Sequence, residues 1–171
     1  MSRKTIRVVG YEQGWEEDFR LEAARLREAL GDVLLDVHHI GSTAVPGLAA
    51  KPVIDILLEV ASLEAMDDRT AAMIDLGYRP KGENGIAGRR YYQRGDANRT
   101  HQVHAYVRGD GHVRRHIAFR DYLRTHGDIA DEYARIKREA AHACAGDSEV
   151  YCDLKDGFIK THERLALLVE R

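Results

Sequence analysis

The run Val53-Ile54-Asp55-Ile56-Leu57-Leu58-Glu59-Val60 limits the fold more than any other part of the chain. Aliphatic and β-branched residues dominate it, no helix breaker interrupts it, and Pro52 marks its start, so it reads as a strand held inside a sheet. It is strand length and carries two acids, which rules it out as a membrane span. Alternation along a strand puts Asp55, Leu57 and Glu59 on one face and Ile54, Ile56, Leu58 and Val60 on the other. A carboxylate in such a strand needs a hydrogen-bond donor, a cation or an opening to solvent. Asp55 is therefore the first residue singled out for function.

Helical and extended patterns alternate around this strand. Residues 5–9 suggest an opening strand, and Trp15, Phe19, Ala23, Leu26 and Leu30 recur at helical spacing until Gly31 stops them. Residues 33–40 read as a second strand ending in the turn 41–47. Ser62 is placed to cap a helix that presents Leu63, Met66, Met73 and Leu76 before Gly77. The Gly- and Pro-rich segment 78–85 reads as a bend or loop beside the site, and residues 90–94 and 102–107 as a strand pair. Helices follow, divided near Gly127 and Gly146, with stripes at Ile129, Tyr133, Ile136 and Ala140 and at Tyr151, Leu154, Phe158, Leu165 and Leu168. The expected class is α/β (α+β): a mixed β-sheet flanked by helices, with a helical C-terminal segment. The 171 residues suit one domain spanning 1–171.

Charge narrows the partners. Twenty-six Lys and Arg against 28 Asp and Glu leave no global positive field, so nucleic acid is not the expected partner. Cys144 and Cys152 form no close pair, and Met1-Ser2-Arg3-Lys4 is not followed by the apolar run of a secretion leader, which points to a reducing, cytoplasmic setting. The chain has no Gly-x-x-x-x-Gly-Lys-[Ser/Thr] loop, dinucleotide fingerprint, serine-hydrolase elbow or zinc-finger spacing.

The turn at Gly41-Ser42 is either an ordinary tight turn or a small anion cradle, in which glycine allows close approach and the hydroxyl and amides donate to phosphate oxygens. Asp55 would then hold a divalent cation or a substrate group, the alternative being a structural acid paired with a donor. Glu59 points the same way but lies roughly 13 Å along an ideal strand, and its plain reading is a solvated strand end. His39 can approach Asp55 if their strands are neighbours. His101 and His104 fall on opposite faces, so they make no two-histidine clamp; His104 shares a face with Gln102 and Tyr106 and is the inward candidate. Lys51, Arg89, Arg90 and Lys155 are candidates for neutralising phosphates, against a plain role in surface ion pairing. Arg114-Arg115-His116 reads as a solvated helix entrance.

Four segments carry a family resemblance. They are Tyr11-Glu12-Gln13-Gly14-Trp15, the block from His39-Ile40-Gly41-Ser42-Thr43-Ala44-Val45-Pro46-Gly47 through Lys51-Pro52-Val53-Ile54-Asp55-Ile56, then Arg99-Thr100-His101-Gln102-Val103-His104-Ala105, and His116-Ile117-Ala118-Phe119-Arg120-Asp121-Tyr122-Leu123. Together they resemble the GrpB-like (UPF0157) family of the nucleotidyltransferase-fold superfamily, over nearly the entire chain. The resemblance implies a nucleotidyltransferase-like sheet with Gly-Ser in a helix-opening turn and an acid on the next strand, followed two positions later by a second. Gly41, Ser42 and Asp55 fit, whereas Leu57 stands where the second acid is expected and His104 where a later strand often supplies a third.

Three functions follow from the resemblance. In the first, a metal-dependent nucleotidyltransferase, Gly41, Ser42, Lys51, Arg90 and Lys155 hold a nucleoside triphosphate. Asp55 with Glu59 or His104 then holds Mg2+ or Mn2+, with Asp55 and His104 as the catalytic pair and the acceptor unspecified. In the second, the same cleft binds a nucleotide or another phosphorylated small molecule without turnover, because phosphoryl chemistry needs more oxygen ligands than remain. In the third, the chain is a structural or regulatory partner domain, as in family members where it lies beside a coenzyme-A pathway kinase.

Overall fold

A computed structural model describes residues 5–169, so the start Met1–Lys4, on which the reading of a missing leader rests, lies outside the described residues. In chain order the elements are α1 (Gly14–Leu30), β1 (Leu34–Ile40), β2 (Ile54–Val60), α2 (Leu63–Asp67), α3 (Thr70–Asp75), β3 (Arg79–Pro80), β4 (Arg90–Arg94), β5 (His101–Val107), α4 (Gly111–Thr125), α5 (Gly127–Ala143) and α6 (Ser148–Val169). The strands form one mixed sheet in the order β1-β2-β5-β4-β3, and its parallel pair is β2 with β5. Helices cover both faces, as the expected α/β class with a helical C-terminal segment requires. None of the described helices is long and apolar enough to cross a membrane.

The two faces of β2 are used as the alternation predicts. Ile54, Ile56, Leu58 and Val60 are buried with Trp15, Leu26 and Leu30 of α1 and with Met66 and Met73. Leu57 on the other face is sealed with Ile40, Tyr106 and Val113. Farther along that face, Val45, Leu48, Leu123 and Tyr133 join the turn after β1 to the C-terminal helices. The α1 layer also buries Glu22, which accepts a hydrogen bond from the Tyr78 hydroxyl at 2.8 Å and a two-pronged ion pair from Arg94 at 2.8 and 3.1 Å. A carboxylate this buried is tolerated only because both oxygens are satisfied.

Three local expectations change. Residues 5–9 form no strand; Val9 makes a single antiparallel bridge to Ala50, which precedes β2 and lies outside the strands of the sheet. The helix expected from Ser62 to Gly77 is two short ones, α2 and α3. Ser62 does cap the first, accepting from the Ala65 amide at 3.0 Å, but the chain turns at Asp68 and Arg69 so that Met66 and Met73 both reach the core. The loop 78–85 includes β3, since Arg79 and Pro80 pair with Gln93 and Tyr92.

Candidate functional site

Gly41 ends β1 with φ 73° and ψ −172°, a conformation that only glycine adopts without strain. Ser42–Ala44 then make one tight helical turn. The amides of Ala44 and Val45 bond the carbonyls of Gly41 and Ser42, so the anion cradle expected here loses those two donors and keeps the Ser42 hydroxyl. Arginines of α4 fix the turn from behind: Arg120 donates to the His39 carbonyl at 3.1 Å and Arg124 to the Ala44 carbonyl at 2.9 Å. His39 faces the α1 side, stacked on Phe19 and bonded to Thr43 at 2.9 Å, and burial pushes its pKa down to about 4. It is a neutral anchor of the turn and does not reach Asp55.

β1 and β2 are neighbours, with Ile40 opposite Asp55. The Asp55 carboxyl group lies so close beneath Gly41 that a Cβ added there would stand 2.7 Å from its Oδ2. Gln102 is its partner across the parallel pair and donates to Asp55 Oδ1 at 2.8 Å, while the Gln102 amide oxygen accepts from Arg99 at 3.1 Å. His104 Nε2 is 3.4 Å from Asp55 Oδ1, a long contact. Behind it lies a cationic, half-buried layer in which Arg89 stacks on Tyr91 and holds the carbonyls of Glu83 and Asn84, and burial pushes His116 well below the usual histidine range.

Asp55 remains partly open, with 27% of its side chain accessible, and faces a cleft of about 390 Å³. Gly41, Ser42, Lys51, Arg99, Lys137 and Lys155 are among the residues that line this cleft with it. Among the described lining residues Asp55 is the only carboxylate. The amines of Lys51 and Lys155 sit 4.7 and 4.2 Å from the centre of the buried Tyr151 ring, and the Tyr151 hydroxyl is buried without a hydrogen-bond partner among the described residues. Lys137 donates to the Ala49 carbonyl, and burial, with the charge of Lys155, pushes its pKa down to about 6. The Tyr133 phenol also lines the cleft, and burial raises its pKa. Lys51, Arg99 and Lys155 thus face a single acid among the described residues, an arrangement whose local field is positive.

The expected residues thus divide. Gly41, Ser42, Lys51, Asp55 and Lys155 meet in the cleft, and His104 touches Asp55 from below. Arg90 turns away and pairs with Asp67 of α2 through two contacts of 2.7 and 3.0 Å; strand alternation sends it to the face shared with Tyr92 and the α1 layer. Glu59 lies four residues along β2 from Asp55 and bonds His38 at 2.7 Å, so the two acids share no ligand. Asp36, His38 and Glu59 form the group of described residues with metal-ligand spacing, their ligand atoms all within 4.8 Å of one another. Leu57 is fully buried, so an acid there would not face the cleft; the cleft-facing position two residues from Asp55 is Val53. Arg99 and Lys137 were not singled out by the sequence. Lys137 stands four residues after Tyr133 on the same helical stripe, and that spacing could have indicated it.

Burial, followed by the charge of Lys51, pushes Lys155 down to about 8. Only its protonated form attracts an anion, so the contribution of Lys155 to affinity for inorganic tripolyphosphate is expected to be present below about pH 8 and to be lost above it. Titration calorimetry between pH 6.5 and 9.5 checks this. Lys155→Met should weaken binding and flatten that loss, and an unchanged profile in the variant would assign the proton to another group.

Residues 5–164 match the family model described as GrpB protein. The chain is 46% identical over 164 residues to UPF0157 protein YqkA of Bacillus subtilis, covering 96% of this chain and 48% of that protein. It therefore spans about half the length of that relative. The crystal structure of conserved protein GrpB from Enterococcus faecalis is similar with a TM-score of 0.91 at 41% identity, covering 96% of this chain and 99% of that one. A structure of the Cid1 poly(U) polymerase bound to MgATP is similar with a TM-score of 0.51 at 13% identity, covering 76% of this chain and 45% of that one, a likeness of fold alone.

Proposed function

The chain belongs to the GrpB family, and on that premise we propose that its cleft binds a nucleoside triphosphate, or a phosphorylated small molecule of similar charge, by its phosphate groups. The observation that carries this reading is the convergence of Ser42, Lys51, Arg99 and Lys155 on an open cleft whose one carboxylate among the described residues is Asp55. In the assignment, Arg99 and the two lysines face the phosphate oxygens, Ser42 donates to one of them, and Gly41 lets the chain approach closely. Lysine and arginine differ usefully here, since arginine orients a pair of oxygens and lysine supplies a movable point charge.

Asp55 fits one Mg2+ or Mn2+ ion of the kind that arrives with a phosphate chain, because such ions take one or two protein carboxylates and fill their remaining positions with phosphate and water. The ion would neutralise phosphate charge. Gln102 holds the carboxylate in place, and His104 lies beside it as a hydrogen-bond partner. The donor set does not fit a second ion, since Val53 stands at the neighbouring cleft position. Binding with little turnover is therefore favoured over nucleotidyl transfer. Transfer is kept as a second reading because the fold is shared with a poly(U) polymerase that has been crystallised with MgATP.

Calorimetry with the four common nucleoside triphosphates and inorganic tripolyphosphate, with and without Mg2+ or Mn2+, tests the reading. Binding is expected, and Asp55→Asn should remove its metal-dependent part, about tenfold in affinity. Absence of binding by every one of these ligands would sink the proposal. Metal-dependent release of pyrophosphate in the same samples, lost in Asp55→Asn, would establish the second reading instead.

A further inference from the structure

Past Lys51, Val53 and Arg99 the cleft continues into a second hollow of about 280 Å³, bounded by Ile6, Pro52 and, at the tip of the β4–β5 loop, Ala97 and Asn98. Small-molecule sites span roughly 300–1,000 Å³, so each chamber alone is near the bottom of that range and the adjoining pair lies within it. Lys51 and Arg99 line both chambers, but the rest of their chemistry differs. The first has Lys155, the Ser42 hydroxyl and Asp55, whereas the second adds Arg7 and the aliphatic surfaces of Ile6, Pro52 and Val53, and among the described residues no carboxylate lines it.

We infer that the second hollow takes the base of the bound nucleotide and that Asn98 reads the edge of that base. The inference rests on the phosphate-binding reading above and extends it to specificity. A nucleobase is flat, with apolar faces and polar edges. Ile6, Pro52 and Val53 suit a face, and the Asn98 side chain carries both a donor and an acceptor, the combination an amide uses to tell base edges apart. Arg99 stands at the join of the two chambers. One end of its guanidinium group is held by Gln102, while its Nε is buried without a hydrogen-bond partner among the described residues. From there it can face a phosphate oxygen or lie flat against the base.

The test compares binding of ATP, GTP, CTP, UTP and inorganic tripolyphosphate, all with Mg2+, to the unaltered protein, Asn98→Ala and Ala97→Trp. Both substitutions fall on exposed loop residues, and thermal melting checks that each variant is folded. The unaltered protein should prefer one base by about tenfold, the worth of one good amide–base contact. Asn98→Ala should erase that preference, and Ala97→Trp should weaken every nucleotide about tenfold by filling the hollow, with tripolyphosphate affinity unchanged in both. The inference is overturned, with phosphate binding intact, if the unaltered protein shows no base preference. The same holds if Asn98→Ala keeps the preference, or if Ala97→Trp binds nucleotides normally because the hollow serves an acceptor or stays empty. Loss of tripolyphosphate and nucleotide binding together, in the unaltered protein, overturns this inference along with the reading beneath it.

Discussion

Leu57→Asp should lose about 4 kcal/mol of folding stability or more, because it puts an unpaired charge into a sealed contact with Ile40, Tyr106 and Val113. Against a typical stability of roughly 5–15 kcal/mol, a loss of this size leaves a protein that unfolds at low denaturant or does not accumulate in soluble form. Val53→Asp should behave in the opposite way. Position 53 is only partly buried and faces the cleft, so a carboxylate there stays hydrated and stands beside Asp55. It should leave the melting temperature nearly unchanged and strengthen Mn2+ binding about tenfold by supplying a second oxygen ligand. Denaturant titration and Mn2+ calorimetry on the two variants provide the check. A stable Leu57→Asp protein with improved Mn2+ affinity would show that position 57 faces the metal and that the cleft has been placed at the wrong end of the strand.

Gly41→Ala should remove the metal-dependent part of anion binding while only weakening the fold. The added Cβ stands 2.7 Å from Asp55 Oδ2 and 3.2 Å from Asp55 Cβ, and the backbone at φ 73° disfavours any residue with a side chain. Strain of this kind costs about 1–3 kcal/mol, or a fall of several degrees in melting temperature for a chain of this size. Asp55 must move to relieve the contact, so tripolyphosphate affinity in the presence of Mg2+ should drop about tenfold while metal-free affinity is kept. Gly47→Ala is the control. Gly47 also has positive φ, at 82°, but nothing lies within 4 Å of a Cβ added there, so it should lose similar stability and keep its affinity. Equal loss of binding in both variants would mean that the turn acts through general loosening and not through the approach of Gly41 to Asp55.

Much of this architecture could be read from the order of residue types. The alternation in 53–60 assigned both faces of β2 correctly, because a strand buried on two sides leaves little freedom in what each position contacts. The spacing of Trp15, Ala23, Leu26 and Leu30 found the buried stripe of α1 for a similar reason. Short elements were harder to read. The break between α2 and α3 and the two-residue β3 depend on what packs against them, and local propensity is too weak to decide elements of that length.

By itself the sequence determined the alternating framework, the glycine turn and the presence of an acid on β2, since these follow from backbone geometry and from the periodicity of burial. Only the tertiary structure decided which charges belong together. Arg90 is adjacent in the sequence to Tyr91 of the cleft and Glu59 lies on the strand of Asp55, yet an ion pair with Asp67 and a hydrogen bond with His38 hold them elsewhere, while Arg99 and Lys137 arrive from a loop and a helix far along the chain. Charged side chains are long and their partners are nonlocal, so a pattern of residue types records that a charge is present but not which side of the fold will bring it an opposite one.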